Sequence, residues 1–288
     1  MSKYQVLYNP LGGNGLGATK IKELEEKLTE HTVVLHNVLE ISDYKAFLDS
    51  LQEEDILVVA GGDGTLNRFV NNIEGHDFKN HVYYFPMGTG NDFLHDVAQD
   101  GEDFLCIDSY IRDLPLVEIN GRSYRFLNGV GYGIDGYCCE VADDIRENAP
   151  NKAINYTGIA IKGLLFHYKP KTATITVDGV KHVYKKAWLA PTMNGRLYGG
   201  GMIATPDQNR LNAEGTVSVL VMYGKGKLKT LMVFPSIFKG EHVKHTEMVE
   251  VLTGHEITVE FDRPAAAQID GETVRGVTRY HVTAKPRL

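Results

Sequence analysis

An α/β amino-terminal domain with an open, mostly parallel sheet, joined to an all-β sandwich at the carboxyl end, is the fold the sequence predicts. Three observations point there. Short apolar runs in the first third each end in a glycine cluster and lead into a helical pattern, the order that builds an open α/β sheet. Asp55 to Ala60 (DILVVA) is the continuous apolar run of a strand covered on both faces. From about Leu114 onward, Asn120-Gly121, Asp178-Gly179 and Asp270-Gly271 punctuate runs rich in Val, Thr, Tyr and Ile, a pattern of hairpins.

Taken in order, Tyr4 to Tyr8 is a short strand running into Asn9-Pro10 and the glycines Gly12, Gly13, Gly15 and Gly17. Ile21, Leu24 and Leu28 then recur at helical spacing among Lys and Glu. Thr32 to Leu35 reads as a second strand and Tyr44 to Leu51 as a second helix. The strand at 55–60 meets Gly61-Gly62-Asp63-Gly64-Thr65, and a helix follows through Leu66, Phe69, Val70 and Ile73. Val82 to Phe85 repeats the pattern before Pro86-Met87-Gly88-Thr89-Gly90-Asn91-Asp92. In the second half, Thr172 to Val177, Val183 to Ala190, Thr216 to Met222, Glu256 to Phe261 and Arg279 to Ala284 read as strands. Helices are expected near Tyr137 to Glu147 and Ala153 to His167. The expected division is 1–118 and 119–278, with the tail 279–288 rejoining the first domain.

At 288 residues the chain is long enough for two modest domains. Its 43% apolar and 23% charged residues are an ordinary globular balance. A formal net charge of -7 gives no general electrostatic case for nucleic-acid binding. Cys106, Cys138 and Cys139 include no C-x-x-C spacing, so neither a disulfide framework nor a zinc site is indicated, and free thiols in a reducing cytoplasm are expected. The stretch Met1 to Asn9 lacks the basic and apolar regions of a signal peptide. No apolar run approaches the ~20 residues that span a bilayer.

Glycine loops at strand-to-helix junctions let backbone N–H groups approach phosphate, with the helix dipole adding to the attraction. The loop from Gly12 to Gly17 lacks the Lys-Ser or Lys-Thr ending of a P-loop, and by itself it reads equally well as a plain turn. Asp63 is more telling, because small residues surround one carboxylate at the end of a buried strand. Glycine costs about 1 kcal/mol relative to alanine in an ordered element. The arrangement makes sense where backbone touches a phosphate while the carboxylate handles Mg²⁺ or a ribose hydroxyl.

Three elements occur in order: Asn9-Pro10-Leu11-Gly12-Gly13, Gly61-Gly62-Asp63-Gly64-Thr65-Leu66-Asn67 and Met87-Gly88-Thr89-Gly90-Asn91-Asp92-Phe93. They resemble the nucleotide-binding motifs of the diacylglycerol kinase catalytic family, which includes sphingosine and ceramide kinases. The resemblance continues through Asn194-Gly195, Tyr198-Gly199-Gly200-Gly201-Met202, the stretch Lys239-Gly240-Glu241-His242 and Asp270-Gly271-Glu272. It therefore covers nearly the whole chain. The Gly61–Thr65 element alone is shared with NAD kinases; the Gly88–Asp92 loop and the two late elements separate the families.

The resemblance implies an NAD-kinase/phosphofructokinase-like first domain and a lipid-substrate sandwich, with ATP in the cleft between them. It implies a kinase that moves the γ-phosphate of ATP, with Mg²⁺, to the hydroxyl of diacylglycerol or a related lipid. Asn9, Pro10, Leu11, Gly12, Gly13, Gly61, Gly62, Asp63, Gly64, Thr65, Leu66, Asn67, Gly88 and Thr89 are then expected around the nucleotide. Asp270 matches the general base, with Glu272 beside it, and Asp63 and Asp92 help organise Mg²⁺. On its own, Asp270-Gly271 reads as a hairpin turn like Asp178-Gly179. A structural Mg²⁺ loop is implied at Leu211, Glu214 and Thr216, with Glu214 standing where the family has an aspartate. Further departures are Gly12 for a serine, Asn14 for a basic residue with Lys20 the nearest cation, and Glu118 for an aspartate.

The expected partner is a lipid at the inner face of a membrane, visited peripherally from the cytoplasm, and the resemblance allows a homodimer. Ile154, Ile159, Ile161, Leu164, Leu165 and Phe166 lie among Lys152, Lys162, Lys169 and Lys171. Lys225, Lys227, Lys229, Lys239 and Lys244 flank a second apolar stretch from Leu231 to Phe238. Such borders suit interfacial docking, and they equally suit core-facing helices with solvated lysines. The competing functions are an NAD kinase-like enzyme and a non-catalytic nucleotide- or lipid-binding protein.

Overall fold

Strand, glycine loop and helix alternate through the first third of the chain. The computed structural model describes residues 3–10, 12, 17–88, 90–99, 101–148 and 156–286. It divides into two units, Met1–Arg112 and Asp113–Leu288.

In the first unit the strands are β1 (Lys3–Tyr8), β2 (Thr32–Asn37), β3 (Ile56–Gly61), β4 (Val82–Pro86) and β5 (Leu105–Cys106). The helices are α1 (Gly17–Lys27), α2 (Tyr44–Asp49), α3 (Asp63–Asn72), α4 (Asp92–Val97) and α5 (Asp108–Ile111). The sheet order is β2-β1-β3-β4-β5, parallel except for β5, which runs antiparallel to β4. β3 is buried on both faces from Leu57 to Ala60, the reason its sequence shows no alternation. Ile21, Leu24 and Leu28 pack against Val6, Val58, Ala60, Phe85 and Met87, so the apolar stripe of α1 covers one face of the sheet. Because β1, β3 and β4 are parallel neighbours, the chain leaves all three at their carboxyl ends, the position at which open α/β sheets bind ligands.

The second unit carries β6 (Leu116–Ile119), β7 (Arg122–Arg125), β8 (Gly129–Tyr132), β9 (Lys171–Val177), β10 (Val180–Ala187) and β11 (Thr192–Met193). After them come β12 (Leu197–Tyr198), β13 (Met202–Ile203), β14 (Val217–Met222), β15 (Val249–Gly254), β16 (Glu256–Ile269) and β17 (Glu272–Thr283). Its helices are α6 (Ile134–Asn148), α7 (Tyr156–Lys162), which continues as a π-helical turn at Gly163–His167, and α8 (Lys227–Val233). Two 3₁₀ turns, Phe234–Lys239 and Glu241–Lys244, follow α8. Ten strands form one antiparallel sheet, and β12 pairs with β13 separately. The long β16 holds the sheet together. Its first half pairs with β9 and its end pairs with β8, with register shifts between Glu260 and Ala267 marking the bend. One apolar cluster, including Ile175, Val219, Val259, Tyr132 and Tyr280, fills the space the folded sheet encloses.

The expected boundary is corrected by strand pairing. β6 at Leu116–Ile119 pairs with β7 and β17, so the division falls between Arg112 and Asp113 rather than after Glu118. Residues 279–283, expected to rejoin the first domain, are paired inside the second unit with β16 and β6. The expected helix at 153–167 is described from Tyr156 onward. Leu164 and Ala160 of that segment face the core, whereas Ile161 and Phe166 are exposed.

Candidate active site

Around the edge of the first sheet, glycine meets glycine. A Cβ on Gly88 would stand 2.6 Å from Gly62 Cα, and one on Gly62 would stand 3.1 Å from Gly88 Cα. The loops after β3 and β4 therefore touch backbone to backbone, and neither position has room for a side chain. A Cβ on Gly61 would lie 2.4 Å from the Thr65 side chain, which folds back over the strand end. The Gly61 carbonyl accepts from Tyr84 Oη at 2.9 Å and from the Met87 N–H at 2.8 Å, fixing the second loop to the third. α3 opens at Gly62 without a side-chain cap, which leaves its first turn suited to an anion.

Asp63 braces the neighbouring loop. Its two carboxylate oxygens accept the Asp92 and Phe93 N–H groups, each at 2.9 Å, and so cap α4 across the loops. Asp92 is buried beneath this contact. Asn91, at φ 50, accepts the Gly88 N–H at 3.1 Å and closes the third loop. Of the other residues expected at the nucleotide, Asn9 accepts the Gly12 N–H at 3.0 Å, and Pro10, Gly12 and Gly64 are half-buried. Asn67 Oδ1 accepts from Asn71 at 3.3 Å. Leu66 is fully buried, so its side chain belongs to the core and is no nucleotide contact. Leu11, Gly13 and Thr89 lie outside the described residues.

On the second unit the Asn194 and Asp270 motifs converge on one segment, Leu127–Gly129. Asp270 and Gly271, at φ 46 and 95, make the tight turn between β16 and β17. The turn aims the Asp270 carboxylate at the entry to β8, where Oδ2 accepts the Leu127 N–H at 2.6 Å and Oδ1 those of Asn128 and Gly129 at 2.8 and 2.9 Å. Asn194 donates to the Leu127 carbonyl at 2.9 Å, and buried Arg210 donates to the same carbonyl and to Asn128 Oδ1, both at 3.1 Å. Glu272 is exposed at the start of β17. His242 is fully buried, with Nε2 2.9 Å from the Ala204 carbonyl, and burial holds its pKa below the usual range, which makes it structural.

Arg210, Asn128 and Asp135 are polar residues that sequence reasoning missed. Asp135, in the first turn of α6, is buried, and its pKa is raised to about 6 by desolvation. Oδ1 accepts the Gly136 N–H at 2.9 Å. The Tyr198 hydroxyl pulls the pKa down, yet neither it nor Asp135 Oδ2 finds a partner in hydrogen-bonding geometry. A carboxylate inside a patterned apolar stretch was the available signal.

The loop implied to hold a structural Mg²⁺ is closed by its own hydrogen bonds. Asn212 stands inside it and donates Nδ2 to the Asn209 carbonyl at 2.7 Å and the Thr216 carbonyl at 3.1 Å. The Thr216 N–H donates back to Asn212 Oδ1 at 2.9 Å, which fixes the orientation of the amide. Gln208 also donates to the Thr216 carbonyl, at 2.8 Å, and His255 Nε2 lies 2.9 Å from the Glu214 carbonyl. Of the expected ligands, the Thr216 carbonyl faces two N–H donors and the Glu214 residue is exposed. Leu211, Glu214 and Thr216 form a hydrogen-bonded turn.

Two glycine-braced loops mark the α/β unit, and a carboxylate-clamped turn marks the antiparallel unit. Residues 3–113 match the family model described as the diacylglycerol kinase catalytic domain. Residues 128–288 match the YegS C-terminal NAD kinase beta sandwich-like domain. The chain belongs to the diacylglycerol kinase family and is a phosphotransferase with an alcohol group as acceptor. It is 25% identical over 276 residues to a diacylglycerol kinase of Mycobacterium tuberculosis, covering 92% of this chain and 86% of that one. It is 23% identical over 303 residues to a diacylglycerol kinase of Bacillus subtilis, covering 98% and 96%. A solved diacylglycerol kinase from Bacillus anthracis shares the fold at 18% identity, with a TM-score of 0.60 over 99% of this chain and 94% of that one.

Proposed function

We propose that this chain transfers the γ-phosphoryl group of ATP, with Mg²⁺, to the hydroxyl of diacylglycerol or a related lipid at a membrane surface. The Gly62–Gly88 contact carries the reading, because backbone pressed against backbone at the strand ends leaves amides, rather than side chains, to meet a polyanion. The α3 amino terminus, Gly62, Gly64 and Gly88 are assigned to the phosphates, and Asp63 to holding the second and third loops together. Bound Mg²⁺ offsets phosphate charge. On the acceptor side, proton removal falls to the Asp270–Glu272 pair. Asp270 is fixed by three N–H groups and Glu272 stands exposed beside it.

No helix among the described residues is long and apolar enough to cross a membrane. Contact with lipid is assigned to an exposed apolar face of the second unit. α8 packs against the turn at Gly163–His167, where Lys227 Nζ donates to the Leu165 carbonyl at 2.7 Å. Phe166 and Leu228 are each 72% exposed and Met232 is 71% exposed. Lys162, Lys169 and Lys227, on or next to these two segments, and Lys239, at the end of the 3₁₀ turn after α8, are also exposed. Lys171, expected in this border, is instead buried over the Tyr168 ring, 4.3 Å from its centroid.

The test is a mixed-micelle assay with radiolabelled ATP, Mg²⁺ and a panel of lipid alcohols alongside NAD. Label is expected in one lipid and absent with Gly88→Val, whose side chain collides with Gly62. Asp270→Asn and Glu272→Gln, checked by thermal melting and nucleotide binding, separate proton acceptance from the clamp. A folded, nucleotide-binding Asp270→Asn protein with full turnover moves the base to Glu272. Label in NAD alone overturns the lipid assignment, and label nowhere favours a non-catalytic binder.

A further inference from the structure

A second cluster of chemically active side chains lies in the first unit, at the β4–β5 edge of the sheet. His81 directly precedes β4, Cys106 ends β5 and Asp108 opens α5. Antiparallel pairing sets Tyr83 opposite Cys106, and the Ile107 N–H donates to the Val82 carbonyl at 2.8 Å, so the chain returns beside His81 within two residues of the thiol. Asp108 is fixed in place, because Oδ1 accepts the Val82 N–H at 2.7 Å while Oδ2 lies 2.7 Å from His81 Nδ1. One imidazole nitrogen, the Cys106 sulfur and one Asp108 oxygen all lie within 4.8 Å of one another.

We propose that His81, Cys106 and Asp108 form a site for a thiophilic divalent cation, Zn²⁺ being the ion their donor set fits. Imidazole, thiolate and carboxylate are the three ligand types this borderline-soft ion takes, and a fourth, open position goes to water. Bond lengths of about 2.0 Å to nitrogen and oxygen and about 2.3 Å to sulfur place tetrahedral ligands about 3.2–3.8 Å apart. The spacing here needs adjustment of about an ångström. The His81 side chain, 73% exposed, is free to make it, while Asp108 keeps its anchor on Val82. On binding, the Cys106 proton leaves to solvent and the imidazole carries its own proton on Nε2. The ion then ties the two-residue β5 and the start of α5 to β4, away from the glycine loops at the other end of that strand. Reading the sequence for C-x-x-C spacing misses such a site, because its third ligand comes from across the ladder.

A Co²⁺ titration of the intact chain tests this, since thiolate bound to Co²⁺ gives a near-ultraviolet charge-transfer band. One equivalent is expected to produce the band, and Zn²⁺ to abolish it. Cys106→Ser is expected to remove the band, and His81→Gln to weaken metal affinity by about 10- to 100-fold. Cys138→Ser and Cys139→Ser leave both unchanged. Zn²⁺ is further expected to raise the melting temperature of the unsubstituted chain and not that of Cys106→Ser. The proposal is overturned by a titration without a band, by a band that survives Cys106→Ser, or by Zn²⁺ affinity that His81→Gln leaves intact. Melting curves in the absence of metal show whether each variant is folded.

Discussion

Desolvation governs Asp135. Its carboxyl titrates at about 6 in the folded protein against 3.8 when free, because burial disfavours the charged form more than the Gly136 N–H favours it. Below the free value both states hold the proton, and between the two values the folded state alone holds it. Stability therefore falls as pH rises across that window, by about 3 kcal/mol in full. Asp135→Asn keeps an acceptor for Gly136 and has nothing to titrate. Denaturant midpoints measured from about pH 4 to about pH 7 are expected to lose this slope in the variant; an unchanged slope assigns it to other groups. Asp63 and Asp270 were found from motifs, yet motifs gave their positions better than their contacts. Both carboxylates accept backbone N–H groups, in Asp270's case from a segment more than a hundred residues earlier in the chain. Arg210 and Asn128 were invisible for the same reason: no local pattern marks a side chain whose partners are distant.

At the scale of the element, local patterns served well where burial is periodic or continuous. β3, α1 and the strands at 171–177 and 217–222 stand close to where apolar runs placed them. β16 outran its expected end at Phe261 because Asp262, Arg263 and Pro264 interrupt the apolar pattern at a bend, after which the strand resumes against β8. At the loop 211–216 the Asn212 amide nitrogen donates to the Asn209 and Thr216 carbonyls, and the second of these is an expected Mg²⁺ ligand. Chelators are accordingly expected to leave the melting temperature of the unsubstituted chain unchanged in the absence of nucleotide and of Zn²⁺. Asn212→Asp removes both N–H donors and sets a carboxylate against two carbonyls, a loss of about 1–3 kcal/mol. Millimolar Mg²⁺ or Ca²⁺ is expected to restore that variant, and thermal melts with and without chelator read the difference. A chelator that destabilises the unsubstituted chain sinks the argument.

For the whole molecule, the proposed lipid acceptor sets the question of how a chain of net charge -7 would meet an anionic membrane. Composition gave no answer, because charge is averaged over the surface while docking is local. Lys162, Lys169, Lys227 and Lys239 are exposed on the same segments as, or on segments directly following, the exposed Ile161, Phe166, Leu228 and Met232. Other charges nearby are already matched, Lys229 with Glu247 at 3.4 Å and Lys244 with Glu241 at 3.0 Å. Each lysine near an anionic surface contributes about 1 kcal/mol, screened within about 10 Å in 0.1 M salt. Each large apolar side chain contributes about 1.5–3 kcal/mol if fully buried. Neither contribution alone holds a protein on lipid against the cost of association, so attachment is reversible and salt-dependent. Leu228→Glu with Met232→Glu replaces two apolar contacts by like-charge repulsion and leaves the core side of α8, Thr230 and Val233, untouched. Co-sedimentation with phosphatidylglycerol vesicles is expected to weaken at least about tenfold in this variant, a difference of about 1.4 kcal/mol. Turnover of a water-soluble short-chain acceptor is expected to persist. Loss of both activities together points to damaged folding, and unchanged vesicle binding places the membrane-facing surface elsewhere on the molecule.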